Sequence, residues 1–411
     1  MSSPVLGIMT LYLNDHRGLE ERGIYRKMIL EGRKRGLDVY VFTPADVHSG
    51  GKHINAMVYN PGKGWSREWR SFPDLIFDRC RIQRNHRFVQ LQDFRKKYGH
   101  LLYLNRPLRN KWTIHQLLAT KAAFREHLPD TCLFQDMSDV NRMLKTYPLI
   151  YLKPINGTGG RGILRIEHSN KEPNTVLVRG RNQKRQIITP RNVHMSRLGA
   201  LLQHWDMKDK YLVQQGIQLQ LPNQRVHDYR MLVQKNGEGE WEFTGCAGRI
   251  GAEKSVTSNL HGGGQAIEMK RLMKQWIPEE EKQAEIASTA EKFGIAIASF
   301  LEETYGALCE LALDLAIDKS GQIYLLEVNP KPAREVFSRI GESEIYEKAI
   351  TQPLEYALWL YRHRPVSSTS SRPKTAAPTK PVTPVKPVTP VKPATPAIRR
   401  GTPSRKKRRT R

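Results

Sequence analysis

The sequence predicts a small α/β domain at the amino terminus, an α+β body after it and an unfolded basic tail. Three observations lead there. Short apolar runs alternate with helical segments up to residue 105. Beyond it, strand-like segments surround a glycine-rich loop and a long helix. The last 46 residues, 366–411, have a composition that cannot bury a core. The expected domains are therefore residues 1–105, 106–365 and 366–411.

Residues 5–13 are a short apolar run and read as a buried strand. Residues 23–34 have helical spacing, and 37–42 read as the second strand. Residues 75–77 and 101–104 read as the third and fourth. Asn105 to Pro107 marks a break. Residues 111–127 read as a helix with apolar Trp112, Leu117, Leu118 and Phe124, and 138–146 as a shorter one. Residues 147–155 form a strand entering the glycine loop, and 162–167 alternate like its return. Residues 168–210 read as polar loop with a helix near 190–204. Strands follow at 211–215, 229–235 and 241–250, then the longest helix, 279–305. Residues 306–317 and 322–328 pair around Asp318-Lys-Ser-Gly321, a hairpin turn sequence. A helix at 343–362 closes the body.

The formal charge is +27, of which +13 falls in residues 366–411 and +14 on the rest. Body and tail are both basic, which favours anionic partners such as nucleotides or polyanions. The tail repeats PVTPVK units and ends in Arg405-Lys-Lys-Arg-Arg-Thr-Arg411, a semi-rigid spacer with a polyanion-binding end. Cys80, Cys132, Cys246 and Cys309 are far apart and form no CxxC pair, so a structural zinc site is not expected. They read as reduced thiols of a cytoplasmic protein. The amino terminus lacks the layout of a signal peptide, and no apolar run is long enough for a membrane span.

Gly157-Thr-Gly-Gly-Arg-Gly162 matches GxGxxG. A dinucleotide fold would open a helix here and place an acidic residue further on, and a P-loop would close with Gly-Lys-Ser/Thr. Neither context is present. The loop is either a flap whose backbone N–H groups meet phosphate or an ordinary glycine hairpin. Lys153, upstream on the incoming strand, can add a point charge. Asp314, Glu327 and Asn329 lie on the two strands of the late hairpin. Carboxylate and amide oxygens there suit Mg²⁺, unless the hairpin is a solvated surface. Arg230 and Arg249 suit anion contact, or surface ion pairs.

Taken in order, YLKPINGTGGRGI, YLVQQGI, HDYRMLV, GRIG, NLHGGG and ELALDLAI…YLLEVNPKP resemble the ATP-grasp superfamily over residues 105–362. With NRPLRNKWTIHQLL and LGIMT, the chain is most similar to the YheC/YheD family of endospore coat-associated proteins. The resemblance implies an ATP-grasp fold, two α+β lobes around the nucleotide, preceded by the α/β domain. It implies ATP and Mg²⁺ as cofactors. Lys111 and Lys153 would contact phosphates, and Gly157, Thr158, Gly159, Gly160 and Gly162 would form the flap. Gln214, Gln215 and Ile217 would meet adenine. Gln215 departs from the acidic residue common at that position. Asp314, Glu327 and Asn329 would hold Mg²⁺, and Arg230 and Arg249 would steady the triphosphate or an acylphosphate. The implied activity is carboxylate–amine or carboxylate–thiol ligation; the alternative is a coat-assembly protein that binds nucleotide without turnover. Spore-coat proteins are then the implied partners, and the coat the implied place.

Overall fold

Three sheets organise the strands. The computed structural model describes residues 3–364 except 82, 84, 158, 170 and 171, and nothing is described of the His261 side chain. The expected polyproline tail lies outside the described residues.

The first sheet contains β1 (Val5–Met9), β2 (Asp38–Phe42), β3 (His53–Asn60), β4 (Gly64–Ser71), β5 (Leu75–Asp78) and β6 (Leu102–Tyr103), in the order β4-β3-β2-β1-β5-β6. β2, β1, β5 and β6 run parallel, and β3 and β4 are an antiparallel hairpin at one edge. Leu6, Ile8, Val39, Val41 and Phe77 bury one face together with Met28 and Ile29 of the helix Arg22–Lys34. Ile350, Leu354 and Ala357 of the last helix, Ser343–Arg362, join that core. The β3–β4 hairpin was not visible in the apolar pattern because β4, GWSREWRS, has no buried position.

The second sheet is antiparallel: β7 (Thr131–Leu133), β8 (Leu149–Pro154), β9 (Leu164–His168), β10 (Thr175–Arg181), β11 (Ile187–His194) and β12 (Tyr211–Gln215), in the order β11-β10-β9-β8-β12-β7. The glycine loop joins β8 to β9. The helix expected at 190–204 is instead the strand β11 followed by the helix Met195–Leu202. Pro190 is tolerated because β11 is the edge, where a missing N–H leaves no ladder partner unsatisfied. The helix expected at 111–127 is two helices, Lys111–Ala119 and Ala122–Arg125. It stops at Thr120, whose hydroxyl and N–H both donate to the Leu117 carbonyl.

The third sheet, β15-β14-β13-β16-β17, is also antiparallel, with β13 (His227–Lys235), β14 (Trp241–Ile250), β15 (Gln265–Glu268), β16 (Glu310–Ile317) and β17 (Ile323–Asn329). The helix Glu280–Tyr305 lies closely on β13 and β16. A Cβ at Gly294 would come within 2.5 Å of Met231 Sδ and 3.3 Å of Leu313 Cδ1.

Beneath the opposite face of this sheet is a buried charge network. Arg79 follows β5, Glu21 precedes the first helix, Glu310 opens β16 and Arg334 follows β17. Arg79 grips Glu21 through Nη2 at 2.7 and 2.9 Å and also pairs with Glu310. Arg334 pairs with the other Glu310 oxygen and donates to the Ala349 carbonyl at 2.7 Å. Gln234 donates to Glu310 at 3.1 Å. Two carboxylates face two guanidiniums, so the network carries no net charge. Burial alone would raise the Glu21 pKa, but Arg79, Arg81 and Arg334 outweigh it and hold it low. Removing one partner strands a buried cation. Glu310→Ala should therefore cost about 3–5 kcal/mol of folding stability in a denaturant titration. A loss under about 1 kcal/mol would show that the network does not join these layers.

Candidate functional site

The second and third sheets face each other across a cleft lined by the glycine loop on one side and by β13, β14, β16 and β17 on the other. Gly159, Gly160 and Gly162 have φ of +67°, +74° and +67°, a backbone that favours glycine. Gly157, Gly159 and Gly160 line the cleft. A Cβ at Gly160 would lie 2.8 Å from Asn259 Oδ1, so the loop 255–264 closes directly on the glycines. Gly162 is held behind, where its N–H donates to the Asn182 carbonyl at 3.2 Å. Thr158 lies outside the described residues.

Both lysines reach the cleft. Lys111, at the start of its helix, donates to the Gly157 carbonyl at 2.8 Å and lies 3.6 Å from Glu327. Lys153, on β8, donates to Gln214 Oε1 at 2.5 Å. Burial lowers its pKa to about 8; Glu327 works against this and Lys111 adds to it.

Strand register assembles the acidic side. Asp314 on β16 is paired with Glu327 on β17 and with Arg230 on β13, and Ala312 with Asn329. Alternation then puts Asp314, Glu327 and Asn329 on the cleft face. Arg230 holds both Asp314 oxygens at 2.9 Å, and Arg249 reaches Oδ2 at 3.1 Å. Arg249 is itself gripped by Asp228 at 2.6 and 2.7 Å. Burial would raise the Asp314 pKa, but the two arginines outweigh it and set it at about 2. Arg230 and Arg249 are thus spoken for by carboxylates in this state, an arrangement that the sequence pattern did not reveal.

Among the described residues no three His, Cys, Asp or Glu side chains group as a metal cage. Two carboxylates and an amide oxygen fit a different habit. Mg²⁺ commonly takes one or two carboxylates and draws its other ligands from water and phosphate.

The segment formed by β12 and the residues after it divides. Gln215 and Ile217 line the cleft, whereas Gln214 is buried, accepts from Lys153 and donates to Thr131 Oγ1 at 3.1 Å. The Gln214 side chain therefore positions a lysine instead of facing the cleft. Sequence reasoning missed the apolar lining that Ile163, Leu219, Val226 and Leu326 add to Ile217. It also missed His227, which burial lowers to a pKa of about 4 and leaves neutral, its Nδ1 2.8 Å from the Leu219 carbonyl. Leu219 and Val226 flank a turn with no periodicity, so only the fold brings them to the cleft.

Residues 100–360 match a family model described as YheC/D like ATP-grasp, which is more than half of the chain. The chain belongs to the YheC/D-like ATP-grasp family. It is similar to the endospore coat-associated protein YheC of Bacillus subtilis (strain 168), 26% identical over 332 residues that cover 79% of this chain and 89% of YheC. YheD of the same strain is 23% identical over 363 residues, covering 87% of this chain and 79% of YheD. Among solved structures, the D-cycloserine synthetase DcsG matches with a TM-score of 0.49 and 13% identity, covering 85% of this chain and 99% of DcsG. The expected family and the expected ATP-grasp fold class are borne out. Cys80, Cys246 and Cys309 are buried free thiols and Cys132 is half-buried. No helix among the described residues is long and apolar enough to cross a membrane.

The Lys153 pKa gives a stability test. In the unfolded chain a lysine titrates near ~10.4. The folded state penalises the charged form below about pH 8, and the penalty fades as pH rises from there toward the unfolded value. Lys153→Met should gain stability over wild type at neutral pH, and the gain should shrink in alkaline buffer. An equal difference at both pH values would contradict the burial of a charged lysine.

Proposed function

We propose that the chain is an ATP- and magnesium-dependent ligase that joins a carboxylate to an amine or thiol through an acylphosphate. The observation that carries this reading is the convergence in one cleft of Lys111, Lys153, the glycine loop, Arg230, Arg249 and the Asp314–Glu327–Asn329 face. The apolar lining that includes Ile217 and Leu326 would accept a flat base. Lys111 and Lys153 bind phosphate oxygens, and the glycine loop presents N–H groups to them. Asp314, Glu327 and Asn329 would hold Mg²⁺, which neutralises charge on the phosphates. The acceptor carboxylate attacks the γ-phosphorus and ADP leaves. The amine or thiol then attacks the acyl carbon and inorganic phosphate leaves. Arg230 and Arg249 would stabilise charge at the transferring group.

The experiment is ADP release with a panel of carboxylic acids, with hydroxylamine present to trap the acylphosphate as a hydroxamate. Glu327→Gln should lower turnover by about 10²–10³-fold. A protein that binds Mg–ATP yet yields neither ADP nor hydroxamate across the panel would sink the ligase reading.

A second reading has its own observation. Asp228, Arg249, Asp314 and Arg230 neutralise one another with no ligand needed. In this reading the body binds nucleotide without turnover and serves assembly of an endospore coat, with the basic tail docking polyanions. A Lys153→Ala, Glu327→Ala double variant that still supports normal coat assembly would favour it.

A further inference from the structure

Arg181 ends β10, and Arg185 sits in the turn before β11 with a left-handed φ of +67°. This turn backs the glycine loop. Arg181 N–H donates to the Ile163 carbonyl at 2.8 Å, and Gln183 Nε2 donates to Tyr211 Oη at 2.9 Å. A Cβ on Gly159 would meet Arg185 Nη2 at 2.7 Å, so that guanidinium rests on the loop itself. Arg181 is 2% exposed, and among the described residues its side chain donates once, to the Gly262 carbonyl at 3.1 Å. Its Nε and Nη1, and Nε of Arg185, are buried without a hydrogen-bond partner among the described residues. The carboxylate that acts on Arg185, Glu20, is already paired with Arg81.

Buried cationic donors without acceptors are costly, and here they are also mutually repulsive. Burial first, then the charge of Arg185, lowers the Arg181 pKa. Burial and Arg161 lower that of Arg185, with Glu20 opposing. Elsewhere in the protein buried arginines are neutralised, as Arg79, Arg249 and Arg334 show. An oxyanion would satisfy this pair. A guanidinium fork matches a carboxylate or a phosphate equally well.

We infer that Arg181 and Arg185 form an oxyanion site beside the glycine loop, which holds a carboxylate or phosphate group of the acceptor substrate rather than the nucleotide. The inference rests on the ligase reading above for the word acceptor. The nucleotide phosphates have their own cations in Lys111 and Lys153. Neither Arg181 nor Arg185 lines the cleft, while their neighbours Gly159 and Arg161 do. An acceptor anchored there would lie behind the glycine loop, whose Gly159 lines the cleft, and an acceptor with a second anionic group is the chemical class expected.

The test uses the full chain and titrates inorganic phosphate, succinate and Mg–ATP separately into wild type, Arg185→Gln, Arg181→Gln and Arg181→Lys. Arg185→Gln should lose about ten-fold in affinity for phosphate or succinate and keep its Mg–ATP affinity within about two-fold. It should also melt no lower than wild type without anion, because a repulsive charge has gone. A loss confined to phosphate or to succinate names the group, and either supports the site. Unchanged affinity for both anions in Arg185→Gln and Arg181→Lys overturns it, since the tail then accounts for the binding. A Mg–ATP loss as large as the anion loss also overturns it, by assigning the arginines to the nucleotide. If Arg181→Gln does not fold, Arg181→Lys and Arg185→Gln still decide. Failure of wild type to bind Mg–ATP would remove the ligase reading, while the anion titrations would still settle the oxyanion site.

Discussion

β16 is buried at every one of its positions, Glu310 to Ile317, yet it carries two carboxylates. That constraint organises much else. A carboxylate in such a place needs cations from neighbouring segments, because little water reaches it. Glu310 takes Arg79 from the first sheet and Arg334 from the loop after β17, and so binds the amino-terminal layer to the third sheet. Asp314 takes Arg230 and Arg249 from the two strands beside it, and so fixes the floor of the cleft. Both carboxylates lie on one face of the strand. Leu311, Leu313 and Leu315, on the other, face the core beneath the long helix.

The site therefore has a stiff side and a softer side. The stiff side is a row of ion pairs set by strand register. The softer side is a glycine loop held by backbone contacts to the β10–β11 turn and by close approach of Asn259. Lys111 connects them, with one contact to Gly157 and another to Glu327.

Legibility in the sequence followed the physics of each piece. The parallel strands of the first sheet were visible because both of their faces are buried, which leaves continuous apolar runs. The late hairpin was visible because its turn residues are specific and its acidic residues stand out among apolar neighbours. The edge strands β4 and β11 were not seen, since polar strands at a sheet edge carry little hydrophobic signal, and their inner partners β3 and β10 were passed over with them. In the site, residue types and their order were enough to nominate the lysines, glycines and carboxylates. The sequence did not reveal that Gln214 turns inward to serve Lys153, or that Asp228 and Asp314 share Arg249. Those contacts depend on register between strands far apart in the chain, which no local pattern encodes.

Pro190 carries one more consequence. One rim of the second sheet is β11, and a rim strand offers unpaired backbone groups to any extended chain that drifts past. A residue with no N–H interrupts that offer midway along the strand, and charged Arg191 follows it. The rim is thereby protected against strand addition by other copies. At this rim, contacts between molecules through side chains and charge are favoured over backbone pairing.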